Sequence, residues 1–390
     1  MTTLRGRNFL MTPGPSSVPE RVLQAMNRNA VDLGEPGYVD MTRRCIDDLK
    51  PIFRTAGDVY AFISNGHGAW EAALANVVAP GEQILVPSSG HFGDNWARMA
   101  TSLGAEVTTL PSDWRSAVDP AQVEEQLRAD GGHAIKAVLL VHTDTATGIT
   151  NEIPPVRAAM DAADHPALLM VDAVASLGTV DFRMDEWRVD VTVAGSQKGL
   201  MMPPGLGFTA VGERALAAAD NGGSLRNYWD WRLRALDEWY RWFCGTSPEH
   251  LMFAMREALD MITEEGLDAI FARHRRLGAA TRACVEQWAR GGKLALNSRD
   301  PAVASDSVTT IRTAGDVDAN QVKATCYQRF NVSLGGGLGL LDGKAFRVGH
   351  MGDVNEPTVL GALASVEATL RALDVPYESG LDAAVASLAA

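Results

Sequence analysis

Cysteine is scarce. The 390 residues hold four, Cys45, Cys244, Cys284 and Cys326, far apart and without a Cys-x-x-Cys pair, which excludes a disulfide framework and a zinc site of ordinary spacing. Positive charge is also short: 35 Lys plus Arg stand against 48 Asp plus Glu, a formal charge of −13. A general polyphosphate-binding surface is thereby excluded, and no nucleic acid is expected as a partner. Long apolar runs are missing. The longest, such as Ala137 to Val141 and Ala167 to Val171, fall far short of the roughly 20 residues that a membrane-spanning helix needs, so no membrane is expected as a partner. The opening Met1 to Arg7 is basic but runs into Pro13-Gly14-Pro15 without the apolar core of a signal peptide, and the expected location is cytoplasmic.

What is present is an α/β pattern: from about Asp58, apolar runs of strand length alternate with amphipathic stretches of helix length. The runs predict strands at 59–64, 83–87, 106–110, 137–142, 167–172, 189–194 and 207–211, with helices near 69–78, 94–102, 120–129 and 155–163. Continuously apolar runs such as Val138-Leu139-Leu140-Val141 suit central strands covered on both faces, so the expectation is one large, seven-stranded, mostly parallel sheet. After Val211 an aromatic and basic stretch, Asn227 to Phe243, leads to helices at 249–263 and 267–289. Short strands at 307–312, 331–334 and 345–348, with helices at 319–330 and 356–373, then predict a smaller α+β unit. The expected division is 1–262, with the N-terminal segment, and 263–390.

Two residues at predicted strand ends carry the chemistry. Lys198, in Ser196-Gln197-Lys198-Gly199, follows one strand, and Asp172, in Val171-Asp172-Ala173-Val174, ends another. A single lysine is ordinarily a solvated surface residue. A carboxylate at the end of an apolar strand, however, wants a cationic partner, and ligands of doubly wound sheets bind outside the carboxyl ends of the strands. A cofactor that needs both a lysine Schiff base and an acid against a protonated ring nitrogen is pyridoxal 5′-phosphate. Its phosphate finds a candidate cradle in Ser64-Asn65-Gly66-His67-Gly68, a strand end running into a helix N-terminus. The plain alternative is an ordinary strand-to-helix turn. Gln197 is a further phosphate donor candidate. Phe92 and Val174 are candidates for the two ring faces, and the Thr145 hydroxyl for the ring oxygen.

These segments, with Pro13-Gly14-Pro15 near the start and Phe346-Arg347-Val348-Gly349-His350 near the end, resemble the class V, fold-type I aminotransferases, most closely the alanine–glyoxylate and serine–glyoxylate group. The resemblance runs from about Leu10 to Leu373. It implies that Lys198 forms the Schiff base, Asp172 holds the pyridine nitrogen and Arg347 binds the substrate α-carboxylate. It implies a homodimer with composite sites, in which Phe243-Cys244-Gly245-Thr246 reaches the neighbouring subunit's phosphate; many relatives have tyrosine where this chain has Phe243, so one donor is lost while the Thr246 hydroxyl remains. It implies glyoxylate as amino acceptor, with serine, alanine or aspartate as donor, in a pocket closed by Gly14, Phe92 and the Ser333–Gly339 loop. Aspartate would need a second cation, for which Arg43, Arg44, His91 and His350 are candidates.

Other readings compete. A cysteine desulfurase would need a mobile nucleophilic cysteine shortly before the arginine, and Cys326 lies in that region, though within a predicted helix. Gly335-Gly336-Gly337-Leu338-Gly339 invites a dinucleotide reading but has no following βαβ unit. A cofactor-binding regulator would need a basic DNA-reading module, and none precedes the domain.

Overall fold

The computed structural model describes residues 6–224 and 226–390; Met1 to Arg5, the first part of the basic opening, lie outside the described residues. A short strand β1 (Phe9–Met11) and helices α1 (Glu20–Met26) and α2 (Pro36–Phe53) precede the alternating region. There β2 (Asp58–Ser64), α3 (Gly66–Val77), β3 (Gln83–Pro87), α4 (His91–Ser102), β4 (Glu106–Leu110), α5 (Pro120–Ala129) and β5 (Ile135–Val141) follow one another as the apolar runs predict. A small hairpin of β6 (Thr143–Asp144) and β7 (Ile149–Thr150) comes next, then α6 (Ile153–Ala162), β8 (Leu168–Asp172), β9 (Val191–Gly195) and β10 (Gly205–Val211).

The large sheet has seven strands in the order β2-β10-β9-β8-β5-β3-β4. Only β10 runs against its neighbours, β2 and β9; the remaining pairs are parallel. Side chains of a strand alternate between faces, and here both faces are apolar. Val138 and Leu140 of β5 join Leu169 and Val171 of β8 in one core, while Ala137, Leu139, Leu168 and Met170 fill the other. Helices therefore cover both sides.

The second half opens with α7 (Glu213–Asn221) and the single-turn α8 (Trp231–Arg234), then the long α9 (Glu249–Glu265) and α10 (Leu267–Ala289). Strands β11 (Leu294–Leu296), β12 (Val308–Thr313), β13 (Val332–Gly336) and β14 (Ala345–Gly349) enclose α11 (Ala319–Phe330), and α12 (Glu356–Ala372) and α13 (Leu381–Ala389) close the chain. The smaller sheet is ordered β1-β13-β14-β12-β11. One of its two edge strands is β1, paired parallel to β13 with Phe9 opposite Val332 and Met11 opposite Leu334. The N-terminal segment, read from sequence with the large unit, thus contributes its strand to the small sheet. Having done so, the chain must cross the large sheet's strand ends to reach α1, and the crossing lies over Lys198.

Candidate active site

At the carboxyl ends of β8 and β9 lies a cavity of about 190 Å³. Asp172, the last residue of the wholly buried β8, and Val174 form part of its wall; Gln197 and Lys198, on the turn after β9, form another. That turn is tied down because the Ser196 hydroxyl donates to Pro203 O at 2.8 Å and the Ser196 N–H donates to Leu206 O at 2.9 Å. Gly66 and His67 come from the start of α3, Phe92 from the start of α4, Thr145 from the β6–β7 loop and Gly14 from the N-terminal crossing. Residues 184 positions apart, Gly14 and Lys198, touch so closely that a Cβ on Gly14 would stand 2.2 Å from Lys198 Cε. Gly14 also has φ +100°, a backbone region that side chains avoid.

Lys198 is 8% exposed, and its Nζ donates to Pro13 O at 2.6 Å. Burial, and then the nearby Arg347, push its amine down to about 8, while Asp172 and Asp144 pull it up. Asp172 is pushed up to about 7 by burial, against the N–H of Val174, the indole of Trp70 and the charge of Lys198. Among the described residues Asp172 forms no ion pair. Its buried carboxylate lacks the cation that a protonated ring nitrogen supplies. A second polar group lacks even a hydrogen bond: Gln197 Oε1 is buried without a partner. A side chain at Gly195 would meet Gln197 Oε1 at 3.0 Å and Gly66 N at 3.5 Å, so the amide and the helix N-terminus border one spot. Rotation of that amide would aim its NH₂ there. These incomplete groups fit a flat, ring-bearing phosphate ester.

Arg347, in the middle of β14, stands just behind the wall. Its Nε donates to Gly336 O at 2.7 Å and Nη1 to Thr145 O at 3.0 Å, leaving Nη2 without a protein acceptor among the described residues. Burial pushes the guanidinium down to about 10, and Asp144 alone opposes this. The glycine-rich loop read as a possible dinucleotide motif is accounted for here: Gly335 and Gly336 belong to β13, opposite Arg347 and Phe346.

Two sequence expectations, for Asn65 and Phe243, meet a different environment, and Cys326 is buried in the helix expected for it. Asn65 does not line the cavity; its side chain accepts the N–H groups of His67 and Gly68 at 3.0 and 3.4 Å and so caps α3, which starts three residues before the expected Ala69. Phe243 is 2% exposed in the large core. Turning such a ring outward costs about 2–3 kcal/mol, so it has no face for a neighbouring subunit. Thr246, by contrast, is exposed. Cys326 is fully buried in α11, its thiol pushed up to about 11 by burial, which removes it as a mobile nucleophile.

The candidate cations separate similarly. His350 is fully buried, bonded to Thr309 Oγ1 and Asp306 O, and pushed down to about 3 by burial. Arg43 pairs with Asp237 at 3.1 Å on an exposed face of α2, and Arg44 is exposed beside it. His91 packs against Phe92 and Trp114 and is pulled below the usual histidine range, first by burial and then by Arg98.

Sequence reasoning missed Trp70 and Asp144. Trp70 lines the cavity and donates to Asp172; nothing local marks a helix tryptophan as other than core. Fully buried Asp144 accepts the N–H of Phe92 at 2.7 Å and of Ala146 at 2.9 Å, which fixes the loop carrying the ring; its place in the Thr143–Gly148 turn was the available signal.

Comparison with known proteins identifies the family. The model of the family described as "Aminotransferase class-V" matches residues 47–339. The chain is 42% identical to a serine–glyoxylate aminotransferase of Methylorubrum extorquens, over 98% of this chain and 96% of that one. It is 36% identical to an L-aspartate–glyoxylate aminotransferase of Paracoccus denitrificans, with the same coverage. The crystal structure of a ureidoglycine–glyoxylate aminotransferase from Bacillus subtilis superposes with a TM-score of 0.90 at 28% identity, covering both chains fully.

Proposed function

Because this chain belongs to the class-V aminotransferases, pyridoxal 5′-phosphate enzymes of the α/β type I fold, we propose that it moves an amino group from a small amino acid, serine first, to glyoxylate, leaving a 2-oxo acid and glycine. The observation that carries the reading is the convergence of a depressed lysine and a buried carboxylate without an ion pair on one small cavity, with a half-used arginine fork bonded to its lining residue Thr145 from behind.

Lys198, Asp172, Gln197 and the start of α3 would hold the cofactor, with Phe92 and Val174 at its ring faces and Thr145 beside it. When bound, the cofactor supplies an electron sink conjugated to the substrate's α-carbon. Lys198, with a substantial neutral share at working pH, takes the proton from that carbon and returns it as general base and acid. Asp172 keeps the ring nitrogen protonated through its charge. Arg347 presents its free Nη2 edge to the α-carboxylate, and its bonds to Gly336 O and Thr145 O fix the direction of approach. Pro13, Gly14 and Pro15 lie over the amine and limit its access to water.

The donor follows from charge. The cavity walls carry no arginine or lysine besides Lys198, and burial disfavours the charged form of His91 beside them, so a donor with a second carboxylate would leave that charge uncompensated. In a panel of serine, alanine and aspartate against glyoxylate, serine should give the highest kcat/KM and aspartate a value at least about tenfold lower, about 1.4 kcal/mol of transition-state discrimination. A panel dead with glyoxylate but active with pyruvate or 2-oxoglutarate would remove the acceptor assignment.

The finer organisation belongs to the same reading. Residues 1–262 hold the cofactor, and residues 263–390, joined by β1, close over the substrate. The active assembly is a homodimer in which Thr246 of one chain contacts the other's phosphate; exposed Leu236 and Tyr240 in the same segment support an interface there. Four free cysteines, three of them buried, support a reducing, cytoplasmic location. No helix among the described residues is long and apolar enough to cross a membrane.

A further inference from the structure

The carboxylate of Asp172 is held at both oxygens. Oδ1 accepts the Val174 backbone N–H at 2.6 Å, a contact within one turn of chain; Oδ2 accepts the indole Nε1–H of Trp70 at 3.0 Å, from a helix 102 residues earlier. Trp70 is 2% exposed. Its ring is stacked on Trp96 at 5.7 Å with 13° between the planes, meets Phe92 edge-on at 6.3 Å, and has the His67 ring 4.5 Å away. Packing alone does not demand the indole's hydrogen bond: the neighbouring Trp96 is fully buried in the same stack, and its Nε1 has no partner.

An indole N–H can only donate, and each carboxylate oxygen keeps a further lone pair when it accepts one bond. We propose that Trp70 is a positioning residue, whose indole N–H fixes the carboxylate plane of Asp172 and favours its ionised form, so that Asp172 offers a charged oxygen to the cofactor's ring nitrogen. This rests on the role proposed above for Asp172. The charged groups facing that carboxylate from other elements are Lys198, after β9, which lowers its pKa, and Asp144, in β6, which raises it. His142 meets Asp172 only through its backbone N–H, bonded to Asp172 O, and His67 stands against the Trp70 ring. Of these supports, the indole is one that can be deleted without changing net charge.

The test is cofactor affinity of the full-length protein, measured by equilibrium dialysis of pyridoxal 5′-phosphate between pH 5 and 8.5. Trp70→Phe keeps an aromatic ring against Trp96 and removes the donor. A hydrogen bond to a charged group of this kind corresponds to about tenfold, so the pH at which affinity falls on the acid side should rise by about one unit. Trp96→Phe should leave that pH in place. In an Asp172→Asn background the Trp70→Phe effect should vanish. If Trp70→Phe does not fold, the wild-type protein decides: with ¹⁵N-labelled tryptophan, the indole resonance displaced by Asp172→Asn should titrate with the acid limb of cofactor affinity. A Trp70→Phe loss that is equal at all pH values, or undiminished in Asp172→Asn, overturns the proposal, as does an indole resonance that does not titrate. If Asp172→Asn itself leaves affinity unchanged, the role of Asp172 falls and this inference with it.

Discussion

At the scale of single residues, the site works through burial. Lys198 has a depressed pKa because its amine is desolvated beside Arg347, and Asp172 and Asp144 only partly offset this. With a value near 8, about a tenth of the amine is neutral at pH 7, against about one part in three thousand for an ordinary lysine. Only the neutral amine attacks an aldehyde. Stopped-flow capture of pyridoxal 5′-phosphate by cofactor-free protein should therefore speed up as pH rises through about 8 and level off above it. Asp172 raises the lysine's value, so Asp172→Asn should move that midpoint downward; a midpoint near 10 in either protein would contradict the assignment of Lys198 as the reacting amine.

At the scale of elements, α3 shows how one helix start serves two purposes. Asn65 satisfies the N–H groups of His67 and Gly68, which stabilises the helix, while Gly66 N borders the same spot as Gln197. The two roles separate by substitution. Asn65→Ala should cost about 1 kcal/mol of stability, the usual worth of a lost cap, with cofactor affinity little changed. Asn65→Asp should keep the cap and the melting temperature but weaken phosphate binding several-fold, because it places a carboxylate beside an anion. Equal affinity losses for both variants, read by dialysis alongside thermal unfolding, would show that Asn65 contacts the phosphate directly. This element also marks the limit of sequence reading. Helix α5 was legible to its ends because Asp119-Pro120 is a cap followed by a proline suited to the first helical position. Helix α2 was not foreseen, since Pro36 and Pro51 both fall within it and proline reads as punctuation. Strand β1 has three residues, too few to show a period. The lysine and acid were legible from their strand ends. The Trp70 contact was not, because a bond between α3 and β8 leaves no trace in local spacing.

At the scale of the whole molecule, the end of the cavity where the proposed reading puts the phosphate has few side-chain donors from the chain itself: the Gln197 amide borders it, and Asn65 is engaged in its cap. An exposed hydroxyl from a second copy, Thr246, would complete it, and cyclic two-fold assembly delivers such a group to both sites at once. The geometry of sharing makes a sharp expectation. Lys198→Ala should be inactive by itself. Thr246→Asp, which sets a negative charge against the phosphate, should lose most of its activity as a homodimer. In a mixed dimer of the two, sharing across the interface puts both defects into one site and leaves the other with intact Lys198 and intact Thr246. Purified through two different tags, that mixed dimer should recover about half of the wild-type activity per dimer. If Thr246 serves only its own subunit, each site of the mixed dimer carries one defect, and activity per dimer falls to about half that of the Thr246→Asp protein. A chain that sediments as a fully active monomer would dispose of the shared site altogether.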